Sequence, residues 1–185
     1  VNVVGPLGSS FDIGNNRSAD HILVAGGCGA APIHFLSDWI CRTYGCAQVT
    51  VLVGAQTAEA VLCEREFAAQ GVKVEVATED GSSGFKGLVT ELLKRHLAHR
   101  SSRFETRVYC CGPMPMMRVV ADICRTQEID SCQVSLETVM ACGIGVCMGC
   151  VVKACDEHDG DCKDWRHSRV CTEGPVYEAK ELVWE

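Results

Sequence analysis

With 185 residues, 47% of them hydrophobic, the chain can bury a core and is sized for one domain with an addition or for two small domains. A net charge of −7 without any Lys/Arg-rich block argues against nucleic acid and against an anionic membrane as partner. No apolar run reaches the length of a membrane span and no secretory signal opens the sequence, which starts at Val1 rather than at methionine.

In chain order, residues 1–12 read as a short apolar strand end meeting turn signals at Gly5-Pro6 and Gly8. His21-Ile-Leu-Val-Ala25 is a β-like run that enters Gly26-Gly-Cys-Gly-Ala-Ala-Pro32. A helical pattern then carries Ile33, Leu36 and Ile40 on one face. Strand, glycine turn and helix in that order form a phosphate cradle. Glycine lets the backbone approach a pyrophosphate, and the helix N-terminus supplies partial positive charge. The spacing is G-G-x-G-x-x-P rather than G-x-G-x-x-G, with Pro32 in the first helical turn, where a missing N–H costs nothing. The cradle residues are Gly26, Gly27, Gly29, Ala30, Ala31 and Pro32.

Alternation continues along the chain. Strands are predicted over residues 48–53, 72–77, 107–111 and 132–136, and helices over 58–70, 88–99 and 114–127. Gly54-Ala55, Asp80-Gly81 and Cys111-Gly112-Pro113 follow strand ends, so they line the same edge as the cradle and complete the candidate nucleotide site. The pattern predicts an α/β fold with a doubly wound, five-stranded parallel sheet. His96 and His99 read as helix-end residues rather than ligands, and Met114, Met116 and Met117 as packing residues.

Met140-Ala-Cys-Gly-Ile-Gly-Val-Cys-Met-Gly-Cys150 places Cys142, Cys147 and Cys150 at C-x4-C-x2-C spacing, and Cys171 follows after 20 residues. That is plant-type spacing for a 2Fe-2S cluster. Three thiolates on one tight loop can wrap a pair of irons, and a fourth from a distant segment closes the cage. The intervening Gly143, Gly145 and Gly149 let loop amides turn toward sulfur. A structural zinc site is the competing reading, although zinc sites usually show two C-x2-C pairs and only one is present. The chain holds 14 cysteines, several of them in apolar runs such as Val108-Tyr-Cys-Cys111. They read as buried thiols in a reducing, anaerobic cytoplasm.

These motifs carry a resemblance. Gly5-Pro-Leu-Gly8, Gly26-Gly-Cys-Gly-Ala-Ala-Pro32, Thr78-Glu-Asp-Gly81 with Lys86-Gly87, Tyr109-Cys-Cys-Gly-Pro-Met114 and the cysteine loop occur in one order over essentially the whole chain. The combination resembles the electron-transfer subunits of two-subunit, NAD-dependent dihydroorotate dehydrogenases, in the ferredoxin-NADP reductase superfamily. The small subunits of electron-bifurcating NADH-dependent ferredoxin:NADP oxidoreductases and some hydrogenase gamma subunits share nearly all of it. The resemblance implies a ferredoxin reductase-type NAD-binding domain over residues 1–136 and a small 2Fe-2S subdomain over 137–185. It also implies an FAD-binding β-barrel of roughly one hundred residues ahead of Val1, which this sequence does not contain. Residues 154–168 depart from the family as a hairpin excursion bearing Cys155 and Cys162. Either could replace Cys171 as fourth ligand, but the Arg-Val-Cys-x-x-Gly-Pro setting of Cys171 matches the family.

The implied route runs between NAD(H), FAD and the cluster, then to or from the FMN of a dihydroorotate dehydrogenase catalytic subunit in pyrimidine biosynthesis, or to another redox subunit. A flavin is needed because hydride carries two electrons and the cluster takes one. No Ser/His/Asp or carboxylate pair for acid–base catalysis is evident, so no catalytic side chain is expected. The absence of Arg or Lys in Gly54-Ala-Gln-Thr-Ala-Glu59 predicts NAD(H) over NADP(H). A zinc-bound nucleotide-binding regulatory module is the non-enzymatic alternative.

Overall fold

The structure is a computed structural model, and it describes residues 2–99, 104–155 and 164–184. Strand β1 (Asp20–Gly26) leads through a 3-10 turn (Gly27–Gly29) into α1 (Ala30–Tyr44), then β2 (Val49–Ala55), a 3-10 turn (Ala58–Ala60) and α2 (Glu64–Ala69). Next come β3 (Lys73–Thr78), β4 (Phe85–Lys86), α3 (Val89–Ala98), β5 (Thr106–Cys111), α4 (Met114–Thr126) and β6 (Ser131–Ser135). The C-terminal part adds β7 (Val151–Cys155), β8 (Trp165–Arg169) and β9 (Val176–Glu178).

The sheet order is β4-β3-β2-β1-β5-β6-β9. Pairing is parallel from β4 to β6, and β9 runs antiparallel to β6, with Val134 opposite Tyr177. Strands with helical crossovers therefore form a mixed, seven-stranded sheet rather than the expected five-stranded parallel one. The two additions are two and three residues long, too short to show a period of two. Residues 2–7 also carry no strand.

Alternate side chains of the central strands explain the two layers of helix. Ile22, Val24, Leu52, Ala77 and Val108 face α3 and α4, whose Leu93, Leu97, Met117 and Val120 complete one apolar cluster. Leu23, Ala25, Val51, Val53 and Tyr109 face the other way, toward Ile33, Leu36 and Ile40 of α1 and Phe67 of α2. Burying each such side chain contributes roughly 1.5–3 kcal/mol. The C-terminal part joins the first cluster through Cys150, Val170, Cys171, Tyr177 and Leu182.

The predicted helix over 58–70 divides. Its first residues form only the 3-10 turn, because the Ala58 amide donates to Ser82 Oγ at 2.7 Å in the loop after β3. Cys63 then adopts φ 61°, which interrupts the helical path before α2 starts. Strand β7 pairs antiparallel with β8, with Ala154 opposite Arg166 and Cys155 opposite Trp165, while the rest of the expected excursion, residues 156–163, lies outside the described residues. Among the described residues, no helix is long and apolar enough to cross a membrane.

Candidate functional site

The chain leaves β1 toward β2 and β3 on one side, then returns to β5 on the other. This reversal opens a crevice at the carboxyl ends of β1 and β5. Every predicted nucleotide residue lies along that edge. Gly26 ends β1 level with Gly54 of β2, while Ala25 is level with Cys111 of β5. Ala55 ends β2, Asp80 and Gly81 follow β3, and Gly112-Pro113 leads into α4. Gly27, Gly29, Ala30, Ala31 and Pro32 form the turn and first helical residues after β1.

Two glycines here are dictated by geometry. Gly27 has φ +54° and open space where a Cβ would stand, so its backbone is free for close approach by a ligand. A Cβ on Gly29 would enter the Cys111 carbonyl, so only glycine lets the turn seat against β5. The loops after β2 and β3 are tied through Ser82, which accepts from Ala58 and donates through both amide and hydroxyl to Asp80 Oδ1. Those bonds from Ser82 hold the Asp80 carboxyl below its usual range. Cys111 is an inert thiol: burial and the nearby Glu137 carboxylate push it up to about 11. A groove of about 1100 Å³ lies elsewhere, toward the amino ends of the strands beneath α3. Its lining mixes Asp20 and Glu75 with Lys73, Lys86 and Arg95, and it lies away from the strand-to-helix glycine turn after β1, so the glycine edge is the better nucleotide site.

The second half of the site is the cysteine loop. Cys147 N–H donates to Cys142 Sγ at 3.4 Å, and Gly149 N–H donates to Cys147 Sγ at 3.4 Å. Amide bonds from Cys147, Ile144 and Val146 bring the Cys142 thiol down to about 6, so it is a ready thiolate. Cys150 is lowered by the amide and thiol of Cys171. Cys171 itself is raised by burial and by the Cys150 thiol, against the Gly145 amide and the adjacent Thr172 hydroxyl. The thiols thus approach as two pairs, Cys142 with Cys147 and Cys150 with Cys171. Among the described residues, no three His, Cys, Asp or Glu side chains gather as for a single ion. Two pairs suit two irons, each taking two thiolates, better than one tetrahedral zinc. Cys155 is disulfide-bonded and is therefore unsuited to replace Cys171, which corrects that alternative. Cys162 lies outside the described residues.

Sequence reading missed what anchors this loop. Arg169 donates from Nη1 to the Gly145 carbonyl at 3.2 Å and from Nε to Glu173 at 2.8 Å. Glu173 also binds Arg166 and Ser168, and these bonds hold its carboxyl down to about 2. The i, i+4 spacing of Arg169 and Glu173 around Cys171 was the available signal. The exposed face of the loop is apolar: Val139 is 89% and Val146 74% exposed, with Met140, Ile144 and Met148 beside them.

Comparison with known proteins matches both halves. Residues 23–122 match the oxidoreductase NAD-binding domain family, and residues 137–183 match the iron-sulfur cluster binding domain of dihydroorotate dehydrogenase B. The electron transfer subunit of dihydroorotate dehydrogenase B (NAD(+)) from Desulforamulus reducens is 39% identical over 185 residues, covering all of this chain and 66% of the relative. An Archaeoglobus fulgidus relative is 34% identical over 185 residues, covering 68% of its length. The chain belongs to the family of electron-transfer subunits of dihydroorotate dehydrogenase B. It spans about two thirds of the length of these family members. A solved NADH-dependent reduced ferredoxin-NADP oxidoreductase covers the whole chain at TM-score 0.79 and 27% identity, with 60% of that structure matched. A hydrogenase C-terminal domain from Pyrococcus furiosus shares the fold over 71% of the chain, at TM-score 0.52 and 14% identity.

Proposed function

We propose that this chain is the nucleotide and cluster portion of the electron-transfer subunit of an NAD-dependent dihydroorotate dehydrogenase. In this reading residues 1–136 bind NAD(H), residues 137–185 hold a 2Fe-2S cluster, and the partner is the FMN-containing catalytic subunit. The observation that carries it is the paired arrangement of Cys142, Cys147, Cys150 and Cys171, in a segment matched by the family's cluster-binding domain and packed on a nucleotide-type sheet.

When bound, NAD(H) supplies a hydride, FAD converts two electrons to single ones, and the cluster relays single electrons. The chain's own residues bind and orient. Gly26, Gly27, Gly29, Ala30, Ala31 and Pro32 would hold the pyrophosphate by backbone approach and helix polarity. Gly54, whose missing Cβ lets Val89 of α3 pack against β2, and Ala55 would border the adenosine together with Asp80 and Gly81, and Cys111-Gly112-Pro113 would bound the crevice at β5. The four cysteines would ligate the irons, with loop amides oriented at sulfur. The apolar rim of Val139, Met140, Ile144, Val146 and Met148 suits desolvated contact with a partner's redox centre beside the cluster.

The likeness to the ferredoxin-NADP oxidoreductase supports a second reading, as the small subunit of such a bifurcating complex. Anaerobic purification of the protein from its native source tests both. Iron and acid-labile sulfide at two per chain, with an FMN-binding barrel protein co-purifying, is the expected result. Zinc without iron would overturn the cluster. A large flavoprotein with further Fe-S clusters as partner would favour the second reading.

A further inference from the structure

Three described side chains carry a buried polar atom without a hydrogen-bond partner: His21, Thr138 and Thr172. Thr172 stands apart because it follows Cys171 directly. Its amide donates to the Arg169 carbonyl at 3.1 Å, in the turn that presents Cys171. A Cβ on Gly145 would come 3.0 Å from Thr172 Cγ2 and 3.1 Å from Oγ1, so the Thr172 side chain lies against the loop between Cys142 and Cys147. Its hydroxyl is thus enclosed between the segment that supplies one thiol pair and the loop that supplies the other. The neighbouring Glu173 carboxylate is already engaged by Arg166, Arg169 and Ser168. The hydroxyl leans toward the Cys171 sulfur but completes no hydrogen bond to it. A buried hydroxyl left so beside a ligand set is unfavourable, and it points to an acceptor that gains charge when the ligand binds.

We propose that the Thr172 hydroxyl donates a hydrogen bond to anionic sulfur of the bound cluster, and so raises the cluster's reduction potential. The inference rests on the 2Fe-2S reading given above. One-electron reduction adds negative charge that the sulfurs share. A donor aimed at them binds the reduced state more tightly than the oxidised one, as hydrogen bonds to cluster sulfur do generally. Thr172 would be a tuning residue; it ligates nothing. The competing account is that Thr172 is only a β-branched filler beneath Gly145.

Valine preserves that shape and removes the hydroxyl, whereas serine keeps the hydroxyl and removes the methyl. Thr172→Val and Thr172→Ser are made in the full-length flavin-containing protein, and the cluster is titrated anaerobically with electron paramagnetic resonance as readout. Iron and sulfide are measured on each sample. We expect Thr172→Val to weaken the reduction equilibrium about fivefold, a fall of about 40 mV at 59 mV per tenfold, and Thr172→Ser to stay near wild type. An unchanged potential in a fully loaded Thr172→Val protein would overturn the proposal, as would equal shifts in both variants. If Thr172→Val does not hold a cluster, Thr172→Ala is titrated on the same criterion. Retention by Thr172→Ser but by neither Val nor Ala would support the donor role, and loss from all three would overturn it. Failure of the wild-type protein to hold iron and sulfide would instead strike the cluster reading itself.

Discussion

Cys171 shows how a single thiol is selected. Burial and the neighbouring Cys150 raise it, so the neutral form is favoured until metal displaces the proton. Among the described residues it is nevertheless the one cysteine outside the loop that pairs with a loop thiol. Cys171→Ser should therefore cost most of the cluster, read as lost visible absorbance and iron, while Cys155→Ser should keep it.

His21 is a second case. It is 1% exposed, stacks on Tyr44 and Tyr109, and has a buried Nε2 without a partner. Burial, with help from Arg107, lowers it to about 4 from an ordinary 6.5. The unfolded chain therefore takes up this proton first as pH falls. The stability tied to neutral His21 is fully present above pH 6.5 and is lost as pH drops toward 4. Between pH 7 and pH 5 that loss is about 2 kcal/mol. Denaturant titrations should show His21→Phe losing about that much less than wild type over the same interval; equal losses would contradict it.

Among the elements, the end of β2 decides nucleotide choice. Ala55 is followed by Gln56, Thr57 and the 3-10 turn containing Glu59, so this rim offers an acid and no cation where a 2′-phosphate would sit. The Lys86 side chain lies against Gly81 in the next loop and is a basic group on that side. NADH should bind more tightly than NADPH by calorimetry, and Lys86→Ala should leave the NADH affinity within about twofold. Tighter NADPH binding would place Lys86 at the phosphate instead. Most elements were legible in the sequence: β1, β2, β3, β5, β6, α1, α3 and α4 fall within a few residues of their predicted spans, because each carries a full period of buried side chains. The helix expected over 58–70 is shorter in the structure, because Ser82, distant in sequence, captures the Ala58 amide.

For the molecule as a whole, the two halves share a core but differ in what they could pass on. Nothing among these side chains converts a hydride into single electrons. Cluster-loaded, flavin-free chain given NADH without oxygen should keep its visible absorbance, and added full-length protein with FAD should bleach readily. Rapid bleaching without flavin would refute this division of labour.

The sequence by itself determined the chemistry-bearing parts: the glycine turn, the strand-end residues and four cysteines at diagnostic spacing. Such features are local, since φ freedom and short ligand spacings are properties of contiguous residues. Only the tertiary structure decided that Cys150 meets Cys171, that Arg169 clamps Gly145, and that β9 closes the sheet on β6. Those pairings join segments far apart in the chain, and their partners are chosen by packing of the whole core rather than by any pattern a short window can display.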